Sequence, residues 1–79
     1  MKLRLEKSFI RELKKLDRST QIRILAHLKM FENGKKVDVK KLKGFKNIFR
    51  LRVGEYRIKF AVENAEVIVF DVKKRGKSY

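Results

Sequence analysis

Along FRLRVGEYRIKF, residues 49 to 60, apolar and cationic side chains alternate on both sides of a central Gly54-Glu55. A period of two predicts strands. A two-residue turn containing Gly predicts a hairpin that pairs Val53 with Tyr56, Arg52 with Arg57, Leu51 with Ile58 and Arg50 with Lys59. Leu51, Val53, Tyr56, Ile58 and Phe60 then share one face, and Arg50, Arg52, Arg57 and Lys59 share the other. Like charges placed directly opposite each other oppose pairing by up to ~1 kcal/mol per contact. Stability alone does not account for four of them in one hairpin.

The rest of the chain supplies the partners of that hairpin. MKLRL, residues 1 to 5, alternates and predicts a short strand. In EKSFIRELKKLDRST the residues Phe9, Ile10, Leu13 and Leu16 fall at helical spacing, with Glu12 and the lysines outward, so a helix is expected from 7 to 16. Asp17, Ser19 or Thr20 can cap a second helix over QIRILAHLKMFEN. Ile22, Leu25, Leu28 and Phe31 or Met30 form its expected apolar stripe, and Asn33-Gly34 its stop. Residues 35 to 47, KKVDVKKLKGFKN, read as a loop tethered to the core by Leu42. Strands follow at 48 to 53, 56 to 63 and 67 to 73. If Ile68, Phe70 and Val72 face the core, then Val67, Val69, Asp71, Lys73 and Arg75 face the same way as the hairpin cations, one of two registers that the alternation permits. The expected fold is α+β: an N-terminal strand and a two-helix antiparallel hairpin packed on one face of a twisted, mainly antiparallel four-stranded sheet. Its other face is wet and basic, and the whole is expected to form a single domain over 1–79.

Composition narrows the function. The chain has 79 residues, of which 43% are hydrophobic, with six Phe and two Tyr, enough for one modest core. Twenty-three Lys and Arg against nine Asp and Glu leave a formal charge of +14. A charge of that size favours polyanions, chiefly nucleic acid or an acidic protein. The plainer alternative is a solvated lysine-rich surface, but balanced ion-pair networks need no such surplus. An anionic membrane surface is a weaker candidate. Cysteine is absent and His27 is the single histidine, which argues against disulfides, metals and metal cofactors. No apolar run approaches membrane-spanning length and the N-terminus lacks a signal-peptide pattern, so a cytoplasmic protein with no membrane partner is expected.

Four pieces of the chain, FIRELKKL, KKLKGFKN, FRLRVGEYRIKF and VIVFDVKKRGKSY, together resemble the RelE/ParE superfamily of bacterial and archaeal toxins from toxin-antitoxin pairs. The step from Leu42 to Gly44 followed by R-x-R-V-G-x-Y-R carries most of the specificity. The RelE branch of that family implies a ribosome-dependent, metal-free endoribonuclease that cuts mRNA in the ribosomal A site. Its partners would be the ribosome and a cognate antitoxin that wraps the toxin and covers or distorts the site. The resemblance places the family's basic strand positions on Arg50 and Arg52, its next-strand arginine on Arg57, the arginine after the last strand on Arg75 and the C-terminal catalytic tyrosine on Tyr79. Lys46, Lys73 and Lys74 are further phosphate-binding candidates.

Metal-free RNA cleavage turns the 2′-OH against the adjacent phosphate. It needs removal of that proton, stabilisation of a crowded phosphorane and protonation of the 5′-oxygen. Arginine suits the second task, because its planar fork donates bidentate hydrogen bonds and stays charged. It is a poor base, so Lys59, crowded by Arg50 and Arg57, is the candidate general base on this face. The alternative is a site with no strong base that works by positioning and electrostatics. Tyr79 could stack on a splayed base or donate a proton. His27 reads as a packing or surface residue and Glu55 as a solvated turn residue. Asp71 reads as a partner that orients Lys59 or Arg57, or less simply as a base. Two other functions fit the same residues: a ParE-like inhibitor of DNA gyrase acting by protein contact, and a non-catalytic nucleic-acid-binding module.

Overall fold

The computed structural model describes residues 2–75. Strand β1 (Lys2–Leu5) leads into helices α1 (Lys7–Leu13) and α2 (Arg18–Glu32), and strands β2 (Val39–Lys41), β3 (Ile48–Val53), β4 (Tyr56–Glu63) and β5 (Glu66–Lys74) follow. The strands form one sheet in the order β1-β5-β4-β3-β2. All neighbours are antiparallel except β1, which runs parallel to β5 at one edge. Helix α1 packs against β5 and α2 against β3. The core between the helices and the sheet holds Phe9, Leu13, Ile24, Leu28, Leu51, Val53, Ile58, Phe60, Val67, Val69 and Val72.

The sheet has five strands where the alternation predicts four. The additional strand, β2, lies within the stretch read as a loop and pairs Val39 with Leu51, Lys40 with Arg50 and Lys41 with Phe49. Three residues with one inward apolar side chain are too few for a period of two to register. Leu42 is half-buried but lies outside the core cluster, and Val37 and Val39 pack on the core in its place. Leu42 contributes its backbone instead, its N–H donating to the Ile48 carbonyl at 2.9 Å.

Helix α1 ends at Leu13, three residues before the expected stop. Asp17 must be extended to cap α2, so the chain leaves the helix through tighter bonds from Lys15 N–H to the Glu12 carbonyl and from Leu16 N–H to the Leu13 carbonyl. The Asp17 carboxylate accepts bonds from the Ser19 and Thr20 hydroxyls and from the Thr20 N–H. These bonds, Ser19's foremost, lower its pKa from 3.8 to about 2. The buried face of α2 is Ile24 and Leu28, with Phe31 packed on Phe60 at a ring separation of 4.9 Å. Of the expected stripe, Leu28 and Phe31 face the core, whereas Ile22 is 58% exposed and Leu25 and Met30 are also exposed. Apolar residues cover more than one face of this helix, so spacing alone leaves its phase open. The Phe31–Phe60 contact sets it.

The β3–β4 hairpin has the expected register, from Val53 opposite Tyr56 to Arg50 opposite Lys59. Gly54 takes a φ of 59° at the first turn position, as a type II′ turn requires. Strand β5 departs from expectation. Val67, Val69 and Val72 are all buried, which leaves two residues, Phe70 and Asp71, outward between Val69 and Val72. The ladder therefore shifts: Lys59 pairs with Asp71, but Phe60 pairs with Val69 and Phe70 is skipped. This β-bulge turns Val67 and Val69 to the core, against the expected register, yet keeps Asp71 and Lys73 on the cationic side. The start of α1 clamps it. Ser8 Oγ donates to the Phe70 carbonyl at 2.9 Å, and Glu6 N–H donates to the Val69 carbonyl at 2.9 Å.

The turn between β4 and β5 carries strain that can be tested. Ala65 holds a φ of 63°, a conformation that costs a non-glycine residue about 1–2 kcal/mol. Ala65→Gly is expected to raise the thermal unfolding midpoint by about 4–8 °C for each kcal/mol relieved. A lowered midpoint would show that Ala65 is not strained.

Candidate nucleic-acid interface

The buried residues of β3, β4 and β5 fix which side chains point away from the helices. Cross-strand pairing then orders the outward ones into rows. Arg52, Arg57 and Lys73 stand opposite one another across β3, β4 and β5. The next row runs Lys40, Arg50, Lys59 and Asp71 across β2, β3, β4 and β5. Arg52 N–H donates to the Asp38 carbonyl at 2.9 Å, extending the β2 pairing by one residue and placing Asp38 at the β2 end of the first row. Neighbours within a row are about 4.8 Å apart, and successive rows about 6.8 Å apart. A third row, Ile48, Ala61 and Ile68, is apolar, and none of its members belongs to the core cluster.

The result is a two-by-four array of charge beside an apolar strip. Asp38 Oδ1 lies 3.9 Å from Arg50 Nη2, and Asp71 Oδ2 lies 3.9 Å from Lys59 Nζ. The Arg50 side chain is only 16% exposed, so its charge is held close to the sheet rather than waving in solvent. Such a face presents several fixed cations within reach of one another, the arrangement that holds a chain of phosphates.

Of the residues expected at the site, Arg50, Arg52, Arg57, Lys59 and Lys73 come together on this face. Arg75 joins its turn end: its N–H donates to the Glu55 carbonyl at 2.6 Å, which carries the β4–β5 pairing one residue past Lys74. Lys74 does not join them. It pairs with Tyr56, whose side chain packs on the core, so Lys74 belongs to the helix side of the sheet, one step out of phase with Lys73. Lys46 lies in the connection ahead of β3, beyond the apolar row and away from the array. Tyr79 lies outside the described residues. His27 Nδ1 is 2.8 Å from the Arg23 carbonyl on α2, on the opposite side of the molecule from the array. Asp38 and Lys40 escaped sequence reasoning because they become part of the array only through β2. Among the described residues no group of three His, Cys, Asp or Glu could hold a metal ion. A cavity of about 450 Å³ lies on α1, between Lys7, Ile10, Arg11 and Lys14, and has no carboxylate, histidine or hydroxyl in its lining.

Residues 3–79 match the family model for the ParE toxin of the type II toxin-antitoxin system parDE. Toxin RelE3 of Methanocaldococcus jannaschii is 36% identical over 75 residues, covering 89% of this chain and 84% of that protein. The chain belongs to the RelE/ParE superfamily of toxins. It is a RelE-like toxin of a type II toxin-antitoxin system. In the RelB-RelE antitoxin-toxin complex from Methanococcus jannaschii the matching chain is 31% identical with a TM-score of 0.79, covering 90% of this toxin and 88% of that chain. The isolated E. coli RelE toxin shares the fold at 20% identity and a TM-score of 0.81, covering 98% of this toxin and 86% of that chain. The α+β architecture expected from the sequence is thus that of RelE structures, although the sheet has five strands rather than the four expected.

In this toxin the opposed cations weaken the hairpin that carries them. Arg52→Gln removes one side of the Arg52–Arg57 apposition and is expected to stabilise the fold by up to ~1 kcal/mol at low salt. The gain should shrink as salt is added, because the Debye length falls to about 3 Å at 1 M. Thermal unfolding across a salt series checks this, and a variant destabilised at low salt would contradict it.

Proposed function

We propose that this toxin is a ribosome-dependent, metal-free mRNA endonuclease that stops translation. The observation carrying this reading is the unbroken row Arg52, Arg57 and Lys73, with Arg75 at its turn end, on an open sheet face. In the reaction the 2′-oxygen bonds to the adjacent phosphorus, the bond to the 5′-oxygen breaks, and the products are a 2′,3′-cyclic phosphate and a 5′-hydroxyl. Arg57 and Arg75 hold the phosphorane oxygens as negative charge builds, and Arg50 and Arg52 position the flanking phosphate. Tyr79 stacks on a base or protonates the leaving oxygen. The ribosome supplies a strand already extended for in-line attack, which lowers the demand for a strong base. A cognate antitoxin partner is supported by the matched toxins, which occur in complexes with RelB; an acidic or amphipathic antitoxin would cover or distort the same face between uses. The toxin acts in the cytoplasm, as one domain.

A second reading has its own support. The matching family model is that of ParE, and both first-strand positions are arginine rather than lysine, which favours a gyrase inhibitor acting by contact.

The test offers purified toxin the same mRNA free and threaded through ribosomes, with DNA supercoiling by gyrase assayed alongside. Cleavage on the ribosome alone is expected, and Arg57→Ala and Arg75→Ala should each lower it by about 10²–10³-fold. Truncation of Tyr79 should cost less. Lys59→Arg separates the two fates of the 2′-OH proton: arginine keeps the charge but takes no proton, so retained cleavage makes Lys59 a phosphate ligand and lost cleavage makes it the base. Intact mRNA with blocked supercoiling would move the toxin to the gyrase-inhibiting branch.

A further inference from the structure

The array is not evenly positive. Its two carboxylates, Asp38 and Asp71, occupy diagonally opposite corners: Asp38 at the β2 end of the row Arg52–Arg57–Lys73, and Asp71 at the β5 end of the row Lys40–Arg50–Lys59. Each is set against a cation at 3.9 Å, Asp38 against Arg50 and Asp71 against Lys59. The other two corners are Lys73 and Lys40, both exposed. Positive charge therefore runs along one diagonal of the sheet, from Lys73 through Arg57 and Arg50 to Lys40, and the crossing diagonal ends in negative charge on both sides.

We propose that Asp38 and Asp71 fix the path of the bound RNA strand, so that its backbone crosses the sheet from the Lys73–Arg57 corner to the Arg50–Lys40 corner. This inference rests on the nuclease reading for its substrate. A phosphate placed at the Asp38 or Asp71 corner meets like charge, whereas one between Lys73 and Arg57 meets cations on both strands, and one between Arg50 and Lys40 meets two cations against the single carboxylate of Asp38. Successive rows stand about 6.8 Å apart, a step comparable to that between consecutive phosphates of an extended strand. Two consecutive phosphates can therefore occupy the two rows, and the carboxylates select which strands they use. The placement of Asp71 depends on the bulge, since an unbroken alternation that buries Val67 and Val69 would turn Asp71 inward. Ser8, which donates to the Phe70 carbonyl at 2.9 Å, is thereby a positioning residue for that corner. On the β3 side of the apolar row, Asn47 Nδ2 donates to Glu63 Oε2 at 3.0 Å, so the acidic group at that end of β4 is already engaged by its neighbour.

Asp38 and Asp71 are positioning residues, and removing their charge separates affinity from accuracy. Asp38→Asn and Asp71→Asn are compared with Glu12→Gln, which makes the same change in net charge on α1, far from the array. Binding is read with a short 2′-O-methyl RNA oligonucleotide that cannot be cleaved, and cut positions are mapped on ribosome-threaded mRNA. Each Asn variant is expected to bind the oligonucleotide about two- to fivefold more tightly, the range of one exposed charge pair. Each should also spread cleavage over neighbouring positions, whereas Glu12→Gln leaves the cut pattern as it was. Asp38, with a side chain 60% exposed, keeps the test open if Asp71→Asn fails to fold. Tighter binding with an unchanged cut pattern, or effects equal to those of Glu12→Gln, would overturn the assignment of the path. Absence of cleavage by the unaltered toxin, with the differences in oligonucleotide binding intact, would remove the nuclease reading and leave the path standing.

Discussion

Arg52 faces Arg57 and Arg50 faces Lys59 across the central strand pair, and much of the molecule can be understood as what makes that apposition tolerable. A sheet gains stability from its cross-strand pairs, and here two of six pairs between β3 and β4 are repulsive on the open side. The compensation lies on the other side. Leu51, Val53, Ile58 and Phe60 alternate with the cations and are fully or almost fully buried beneath α1 and α2. Burying one such side chain contributes about 1.5–3 kcal/mol, more than one cation pair costs. The alternation that creates the repulsion also creates the core that outweighs it.

The bulge in β5 reconciles two demands on one strand. Val67 and Val69 complete the core near the parallel β1 strand, and Val72 completes it near the hairpin turn. An unbroken alternation could not bury all three and still leave Asp71 and Lys73 on the cationic face. Skipping Phe70 does so, and the two bonds from Glu6 N–H and Ser8 Oγ satisfy carbonyls beside the break. The start of α1 thus reaches through the sheet edge to the geometry of the charged face, which links the helix layer to the face on which RNA is proposed to lie.

The hairpin was legible from sequence because every local signal agreed: alternation on both sides, and a Gly at the one position whose φ of 59° calls for it. The cap of α2 was legible only as one of Asp17, Ser19 or Thr20, and the structure selects Asp17, to which the Ser19 and Thr20 hydroxyls both donate. What escaped depended on contacts distant in sequence. The phase of α2 is decided by Phe31 against Phe60, the register of β5 by a bulge clamped from α1, and β2 by pairing with β3 across the connection 42–47. Asp38 and Lys40 entered the array only with β2. The basic face was therefore visible in outline, whereas its negative corners were not.

The central claim is that the outward cations form a floor for phosphates. The most direct measurement is the salt dependence of binding to an uncleavable single-stranded RNA, for the toxin and for a variant carrying Arg52→Gln, Arg57→Gln and Lys73→Gln. Each phosphate contact to a single strand contributes about 0.7 to the slope of log affinity against log salt, so the variant's slope should be shallower by about 2. Slopes that coincide in two equally folded proteins would contradict the account, because the row would then hold no phosphate.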